Sequence, residues 1–369
     1  MKVLDIFYVC FLSNDGSRLS IGGVETYILN LARLADEMGI GVRVFQFSSD
    51  YFEKKYEKAT VFGVKKGRSN SFNKLYKYAL SNRDENNNYI NIVANDSLLP
   101  GWKVPNSIVI QHGIGFDDNN HPNFPFIMTF LYRMYKSYKR VKRIQNVDQV
   151  VCVDNNYICW YRTQTPRRNV RMIPILNFTS LPEGDREVSN NSIVRIVFAR
   201  RFVKIRGTRL FGPVAKQLLA NYQNIEIVFA GEGPDKQYLM NLFNNDDRVK
   251  FTSYKTSEGV RFHQQFDIAV VPTVYSEGTS LSLLEAMSAG CAVVCTNVGG
   301  MTNIILDGYN GRMISPSQGE LYDALSNMIE DEKLRKKLSA NAQITVRESF
   351  SLNRWRKQWK EVLFYFANR

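Results

Sequence analysis

Two glutamates eight residues apart, Glu277 and Glu285, stand in the stretch with the clearest chemical potential, VVPTVYSEGTSLSLLEAMSAGCAVVCT at residues 270–296. The order of residue types predicts a buried strand, a loop, and a helix that begins near Thr279 or Ser280. Free backbone N–H groups in the first turn of such a helix form an anion site beside Glu277. One carboxylate could then accept hydrogen bonds from sugar hydroxyls and the other from a ribose diol. The alternative is two solvated helix charges.

A second group of candidates is basic. The run VRIVFARRFVKIRGTRLF, residues 194–211, predicts a buried strand that ends in a cluster of cations: Arg200, Arg201, Lys204 and Arg206. Because the planar fork of arginine suits phosphate oxygens, several such cations at one strand end would neutralise a diphosphate without a metal. A solvated basic loop is the competing interpretation.

Two further candidates lie in the first half of the chain. Gly22 and Gly23 separate the first predicted strand from the first predicted helix, where bare backbone can approach a ligand and a helix N-terminus favours anions. An ordinary turn explains the same pattern. His112 follows the apolar run SIVIQ and so stands at a predicted strand end, either as a catalytic residue or as a structural histidine with one backbone partner.

The elements that must position these residues repeat along the chain. Short apolar runs alternate with amphipathic helical patterns, which predicts parallel sheets covered by helices. The predicted strands of the first half are Val3–Phe11, Val42–Phe47, Ile90–Ala94, Ser107–Gln111, Gln149–Val153 and Val170–Ile175. Those of the second half are Val194–Ala199, Ile225–Ala230, Val249–Ser253, Asp267–Pro272 and Cys291–Thr296. We predict an α/β fold of two doubly wound, Rossmann-like domains that face each other across a cleft.

Length and composition agree with this organisation. The chain has 369 residues with a hydrophobic fraction of 44%, enough for two domain cores, and its five cysteines show no C-x-x-C pair. The polar segment 177–192 is the best linker candidate, so we predict a first domain at 1–178 and a second at 190–350. A terminal helix at about 351–369 could pack back on the first domain. The N-terminus is predicted to be a buried strand, with neither a signal peptide nor a membrane span.

The chain is strongly basic, with 48 Lys and Arg against 35 Asp and Glu, and residues 1–180 alone have a net charge of +9. Residues 126–144 contain six basic residues and no acid. On a helix these residues form two stripes. The apolar stripe consists of Ile127, Phe130, Met134, Tyr138 and Val141, and the basic stripe consists of Arg133, Lys136, Arg140 and Arg143. An anionic bilayer attracts such a helix by about 1 kcal/mol per basic residue near the surface. The alternative is a domain helix whose apolar stripe packs on the sheet.

Together these motifs resemble the large family 4 of retaining glycosyltransferases, which have the two-domain GT-B fold. Glu277 and Glu285 match the family's Glu-x7-Glu motif. In its Gly-Arg-Leu-x3-Lys-Gly motif, Arg201 occupies the Arg position, whereas Arg200 replaces the first Gly and Arg206 the Lys. The resemblance covers nearly the whole chain.

The resemblance implies a role for each candidate residue. A nucleotide diphosphate sugar would bind to the second domain, with Glu285 on the ribose and Arg201 and Arg206 on the diphosphate; Lys204 is the alternative to Arg206. Glu277 would face the donor sugar together with four loop residues, Gly278, Thr279, Ser280 and Leu281. The first domain would contribute Gly22, Gly23 and His112 and would bind the acceptor.

By the same resemblance, the chain is expected to be a retaining, metal-independent glycosyltransferase. Its acceptor would be a lipid-linked or cell-surface polysaccharide, as in lipopolysaccharide or capsule synthesis, at the cytoplasmic face of a membrane. Expected partners are the nucleotide sugar, the glycan acceptor and an anionic membrane surface, with no nucleic acid. Three histidines and the lack of an Asp-x-Asp at a strand end predict no metal and no cofactor.

Other classes remain open at this point. Nucleotide-sugar epimerases and sugar phosphorylases share the architecture. A nicotinamide oxidoreductase is disfavoured because Gly231-x-Gly233 lacks a third glycine at the required spacing. A basic nucleic-acid-binding protein is suggested only by net charge, without a recognition motif.

Overall fold

The chain divides into two compact units in a computed structural model that describes residues 1–20, 22–67, 71–113, 125–165, 170–184, 193–243, 246–275 and 277–369. Unit 1 comprises Met1–Leu176 with Arg356–Arg369, and unit 2 comprises Asn177–Trp355. Part of the predicted linker, 185–192, lies outside the described residues.

Unit 1 is built on an eight-stranded sheet with the order β3-β4-β2-β1-β5-β6-β7-β8. Its strands are β1 Lys2–Phe7, β2 Gly41–Ser48, β3 Phe52–Tyr56, β4 Ala59–Lys65, β5 Asn88–Val93, β6 Ser107–Gln111, β7 Gln149–Cys152 and β8 Arg171–Pro174. Its helices are α1 Gly23–Glu37, α2 Phe72–Ser81, α3 Phe126–Ile144 and α4 Asn155–Gln164. All neighbouring strands are parallel except β3 and β4.

Unit 2 is built on a six-stranded parallel sheet with the order β11-β10-β9-β12-β13-β14. Its strands are β9 Val194–Ala199, β10 Ile225–Ala230, β11 Val249–Thr252, β12 Ile268–Val271, β13 Ala292–Thr296 and β14 Arg312–Ile314. Its helices are α5 Thr208–Asn221, α6 Lys236–Phe243, α7 Gly259–His263, α8 Leu281–Ser288, α9 Gln318–Glu330 and α10 Glu332–Ser349. The prediction of an α/β fold with two largely parallel sheets is confirmed.

Helices cover both sheets, so the central strands are buried and apolar. In unit 2 the core under α5 is aromatic: Phe198, Phe211 and Phe229 are fully buried with ring centroids 5.5 to 5.8 Å apart. This packing fixes the end of β9, the strand that leads into the predicted basic cluster.

Helix α3 has the predicted bounds, but its apolar stripe is not part of the core along most of its length. Ile127, Phe130, Met134 and Tyr138 are each more than half exposed, whereas Val141 is buried with the unit 1 core. The interpretation that the whole stripe packs on the sheet is therefore wrong for residues 127–138. Only the C-terminal end of α3 is anchored in the core.

The last helix, α11 Leu352–Ala367, contributes its C-terminal part to unit 1. Trp359 is fully buried there, and its indole Nε1 donates a hydrogen bond to the Tyr27 hydroxyl of α1 at 2.7 Å. Leu363 and Phe366 are also fully buried. Among the described residues, none of the helices combines the length and the apolarity needed to cross a membrane.

Candidate functional site

The basic loop of unit 2 begins where β9 ends and includes a single 3-10 turn at Lys204–Arg206. The neighbouring strand β10 is followed directly by Gly231, whose φ is +152°. A Cβ there would lie 2.1 Å from the carbonyl oxygen of Arg200, so only glycine allows this close backbone approach. The loop is thereby held against the carboxyl edge of the sheet, and its position depends on a glycine of another strand.

The acidic loop follows β12 and leads into α8, which begins at Leu281 with Ser280 as its N-cap. No side chain caps this helix at Ser280. The first-turn N–H groups of a helix have no intrahelical acceptor, so this end favours an anion. Thr279 and Ser280 are buried, and Thr279 accepts a hydrogen bond at its carbonyl from Asn177 Nδ2 at 2.7 Å. The predicted helix start is thus close to the observed one.

Gly299 and Gly300 hold the acidic loop from the side of β13. The Gly300 N–H donates to the Glu277 carbonyl at 2.7 Å, and a Cβ on Gly299 would lie 2.1 Å from that same oxygen. The backbone of Glu277 is therefore fixed by direct contact with two residues that lack side chains.

Gly299→Ala should lower the free energy of unfolding by more than about 2 kcal/mol, because the φ of +57° disfavours alanine and the new Cβ would strike the Glu277 carbonyl. Gly308→Ala is the matched control. Gly308 has a φ of +72°, but a Cβ built there would have nothing within 4 Å. This substitution should therefore lower the free energy of unfolding by only about 1 kcal/mol. Urea denaturation measures both, and equal losses would contradict the steric argument.

The two loops meet through side chains. Arg200 Nη2 donates to both carboxylate oxygens of Glu277, at 2.6 and 2.8 Å, and Arg200 Nη1 donates to Thr273 Oγ1 at 2.9 Å. The Thr273 hydroxyl in turn donates to Glu277 Oε2 at 2.9 Å. Arg206 Nη1 lies 2.8 Å from the same Oε2. Glu277 therefore has two guanidinium partners and one hydroxyl partner.

The charges in this cluster do not cancel. Burial alone would raise the pKa of Glu277, but the positive charges of Arg200 and Arg206 outweigh it and lower that pKa, so the carboxylate is ionised at neutral pH. Burial, reinforced by Arg200 and Arg201, lowers the pKa of Arg206, and the charge of Glu277 opposes this shift. Two guanidinium groups thus share one carboxylate, and Arg201 adds a third positive charge nearby, which leaves a local excess of positive charge.

Glu285 lies about one turn into α8, on a part of the helix that approaches α7. A Cβ on Gly259, the first residue of α7, would lie 2.5 Å from the Glu285 carboxyl carbon. Burial raises the pKa of Glu285 to about 8, although the charge of Arg200 acts in the opposite direction. Tyr254, whose ring stacks on Phe262 at 4.3 Å, has its pKa raised by burial and then by the charge of Glu285.

The remaining basic candidates of unit 2 are more exposed. Arg201 and Lys204 point to solvent, whereas Arg206 is only one-fifth exposed and contacts Glu277. Of the two residues considered for the diphosphate, Arg206 is therefore the one that the structure brings to Glu277. Sequence reasoning placed Arg200 in the basic cluster, from the double arginine that follows β9, but assigned it no role. It missed Thr273.

In unit 1, the Glu25 side chain occupies the space beside Gly22. A Cβ on Gly22 would lie 2.3 Å from Glu25 Oε2, and the Tyr8 hydroxyl donates to Glu25 Oε1 at 3.2 Å. The carboxylate of Glu25 stands in the first turn of α1, where the positive end of the helix favours an anion. Gly23 is the exposed first residue of that helix.

His112 follows β6 directly, as the sequence predicts. Burial lowers its pKa to about 4, while a hydrogen bond with the Ala94 backbone acts in the opposite direction, so the ring is neutral at pH 7. Its Nε2 is buried without a hydrogen-bond partner in the described structure, and Tyr27 packs edge-on against the ring at 5.5 Å. A buried nitrogen of this kind is available to a ligand hydroxyl.

The family pattern described as Glycosyl transferases group 1 matches residues 186–345. Among curated relatives, the chain is 23% identical over 206 residues to alpha-D-kanosaminyltransferase of Streptomyces kanamyceticus, covering 52% of this chain and 53% of that protein. It is also 35% identical over 101 residues to N,N'-diacetylbacillosaminyl-diphospho-undecaprenol alpha-1,3-N-acetylgalactosaminyltransferase of Campylobacter jejuni, covering 27% of this chain and 26% of that protein. The chain spans about half the length of the curated relatives it matches.

A solved structure matches this chain over its whole length. Sucrose-phosphate synthase from Thermosynechococcus elongatus matches with a TM-score of 0.80 over 100% of both chains at 16% identity, which establishes a GT-B-type fold. The pattern match covers the Glu277 loop, the basic loop and both glycine contacts described above. Residues 186–345 therefore have the sequence pattern of the group 1 glycosyltransferases.

Proposed function

We propose that this chain transfers a sugar from a nucleotide diphosphate sugar to an acceptor, with retention of anomeric configuration and without a metal. The observation that carries the proposal is the excess of positive charge around Glu277, next to the uncapped first turn of α8. A diphosphate supplies the missing negative charge, and positive groups at that place stabilise the leaving group as its bond to the sugar breaks. Within the described residues, no group of three or more His, Cys, Asp or Glu could hold a metal ion.

Each residue then has a proposed role. Arg206 and Arg201 bind the diphosphate, with Lys204 at the rim, and Glu285 accepts hydrogen bonds from the ribose. Glu277 faces the donor sugar together with the loop backbone of Gly278, Thr279, Ser280 and Leu281. In unit 1, His112 stays our prediction for a residue near the donor sugar, because its Nε2 has no partner in the described structure. Gly22 and Gly23 stay predicted donor contacts, although Glu25 takes the space beside Gly22.

The direct test is a panel of nucleotide sugars incubated with the full chain and with polyprenyl-diphosphate glycan acceptors. We expect one donor to release its nucleoside diphosphate only when an acceptor is present, with an unchanged rate in EDTA and a product of retained configuration by NMR. An epimerase would convert the donor without an acceptor, and a phosphorylase would require inorganic phosphate. No turnover of any nucleotide sugar would contradict the proposal, and loss of activity in EDTA would contradict its metal-free form.

The affinity for the nucleotide sugar should rise with pH from 7 through about 8 and level off above about pH 9. The pKa of Glu285 is raised to about 8, and only the ionised form accepts hydrogen bonds from both ribose hydroxyls. Binding below pH 8 must therefore remove a proton, which weakens affinity at pH 7 by about tenfold relative to the plateau. Calorimetry on wild type and Glu285→Gln tests this. The variant should bind more weakly at every pH and show no such rise, and a parallel rise in both proteins would remove Glu285 from the ribose.

For the acceptor we propose a lipid-linked or cell-surface glycan, elongated at the cytoplasmic face of an anionic membrane. Support comes from residues 127–138 of α3, where seven apolar side chains are each at least half exposed: Ile127, Met128, Phe130, Leu131, Met134, Tyr135 and Tyr138. Three exposed lysines flank this surface: Lys136, Lys139 and Lys142. A helix with these two features lies flat in the headgroup region, where anionic lipids attract its cations. The name of the Campylobacter jejuni relative includes a lipid diphosphate, which agrees with this class of acceptor.

A further inference from the structure

Arg200 occupies a buried position with no obvious place in donor binding. Its side chain is 5% exposed, and its hydrogen bonds go to Glu277 and Thr273. Nothing in the proposed function requires a third arginine at this depth, because the diphosphate is assigned to Arg201 and Arg206. The role of Arg200 must therefore lie in what it does to Glu277.

The two guanidinium contacts of Glu277 differ in kind. Arg200 reaches both carboxylate oxygens and is tied to Thr273, which itself donates to Glu277. Arg206 approaches Glu277 through Nη1, 2.8 Å from Oε2, and its side chain is four times as exposed, 20% against 5%. The contact between Arg206 and Glu277 is therefore the one that can be given up without disturbing the position of the carboxylate.

The charges of the cluster also favour release of Arg206 from Glu277. Arg200 with Glu277 forms a neutral pair, which leaves Arg206 and Arg201 as two cations. The diphosphate of a nucleotide sugar has two negative charges, so it matches these two cations once Arg206 is released. Without Arg200, Glu277 would need Arg206 for its own neutralisation, and donor and carboxylate would compete for one guanidinium group.

We propose that Arg200 is a positioning residue that holds Glu277 ionised and in place, so that Arg206 can exchange Glu277 for the donor diphosphate. The inference rests on the proposed function and deepens it. Before donor binding, Glu277 acts as the internal anion that keeps the guanidinium of Arg206 oriented. After donor binding, Arg200 and Thr273 alone hold the carboxylate against the sugar.

Arg200→Gln tests the exchange. We expect the Kd for nucleoside diphosphate, measured by calorimetry, to rise at least tenfold, because Glu277 now retains Arg206. The acid limb of the kcat/KM profile should also move to higher pH by about one unit, because Glu277 loses a cation that lowers its pKa. Arg195→Gln is the matched control on the same strand, since Arg195 is more exposed and lies 3.7 Å from Glu226; it should leave both values unchanged.

Two further variants separate position from charge and keep the test valid if Arg200→Gln folds poorly. Arg200→Lys keeps the cation and should restore the acid limb while kcat stays low, because lysine cannot reach both oxygens and Thr273 together. Thr273→Val should weaken nucleoside diphosphate binding in the same direction but less. If Arg200→Gln has an affinity within twofold of wild type and an acid limb within 0.3 pH unit of it (roughly the scatter of such measurements), the inference is overturned. If Arg200→Gln does not fold, wild-type affinity in Thr273→Val together with wild-type kcat in Arg200→Lys would overturn it. Absence of turnover by wild type would instead overturn the proposed function.

Discussion

Glu277→Gln should lower the free energy of unfolding by about 3–5 kcal/mol, because it leaves Arg200 and Arg206 close together without the carboxylate that neutralises them. The same change removes the internal anion of the proposed donor site. Pyrophosphate should therefore raise the Tm of Glu277→Gln by more than it raises that of wild type, since the bound anion replaces the missing charge. Urea denaturation and thermal melting with and without pyrophosphate measure both effects.

Glu226→Gln provides the matched control. Glu226 also faces two cations of unit 2, Arg195 at 3.7 Å and Lys250 at 3.5 Å, but at longer distances and with greater exposure. Glu226→Gln should lower the free energy of unfolding by less than about 1 kcal/mol, and this loss of stability should not respond to pyrophosphate. If Glu277→Gln is as stable as this control, the cluster around Glu277 is not the concentrated positive charge that the donor proposal requires.

Replacing Lys136, Lys139 and Lys142 together by glutamine should weaken vesicle binding roughly a hundredfold, at about 1 kcal/mol for each basic residue near an anionic surface. The three lysines are exposed on α3 and flank its exposed apolar surface. Co-sedimentation with vesicles of equal parts phosphatidylglycerol and phosphatidylcholine measures the change. Because the interaction is electrostatic, wild-type binding should also fall as salt is raised.

The control removes the same charge from another helix. Lys333, Lys336 and Lys337 are exposed on α10 of unit 2, and their replacement by glutamine should change vesicle binding less than threefold (about 0.7 kcal/mol). Equal losses in the two triple variants would show that net charge alone governs binding. Binding that ignores the anionic lipid content would count against the membrane proposal itself.

The strands that sequence could predict are the buried ones. Ser107–Gln111, Val194–Ala199 and Ile225–Ala230 have the predicted bounds, because a parallel strand covered on both faces is a continuous apolar run. The hairpin of β3 and β4 was missed. Strand β3 is FEKKY at the sheet edge, and its central charged residues are exposed, as an edge strand requires. Such a segment lacks the apolar pattern on which the prediction relied.

The site was predictable in residue type but not in pairing. The eight-residue spacing of Glu277 and Glu285 identified the loop, and the double arginine identified the end of β9. That Arg200 meets Thr273, 73 residues away, follows only from the order of strands in the sheet. The apolar stripe of α3 has the same periodicity whether it is buried or exposed, so sequence could not decide between those alternatives. The filling of the space beside Gly22 by Glu25 was equally invisible.

The packing of α11 has a consequence for synthesis. Trp359, Leu363 and Phe366 belong to the buried interior of unit 1, which outside the segment Arg356–Arg369 consists of Met1–Leu176. A ribosome must therefore complete unit 2 before the last helix emerges to join α1 through the bond from Trp359 to Tyr27. Until then unit 1 lacks this helix and exposes the apolar surface that the helix covers. This state lasts for the time that some 180 residues take to translate, about 10–40 seconds. A nascent chain arrested before Trp359 should be captured by chaperones and cut readily by protease, whereas the released chain is protected.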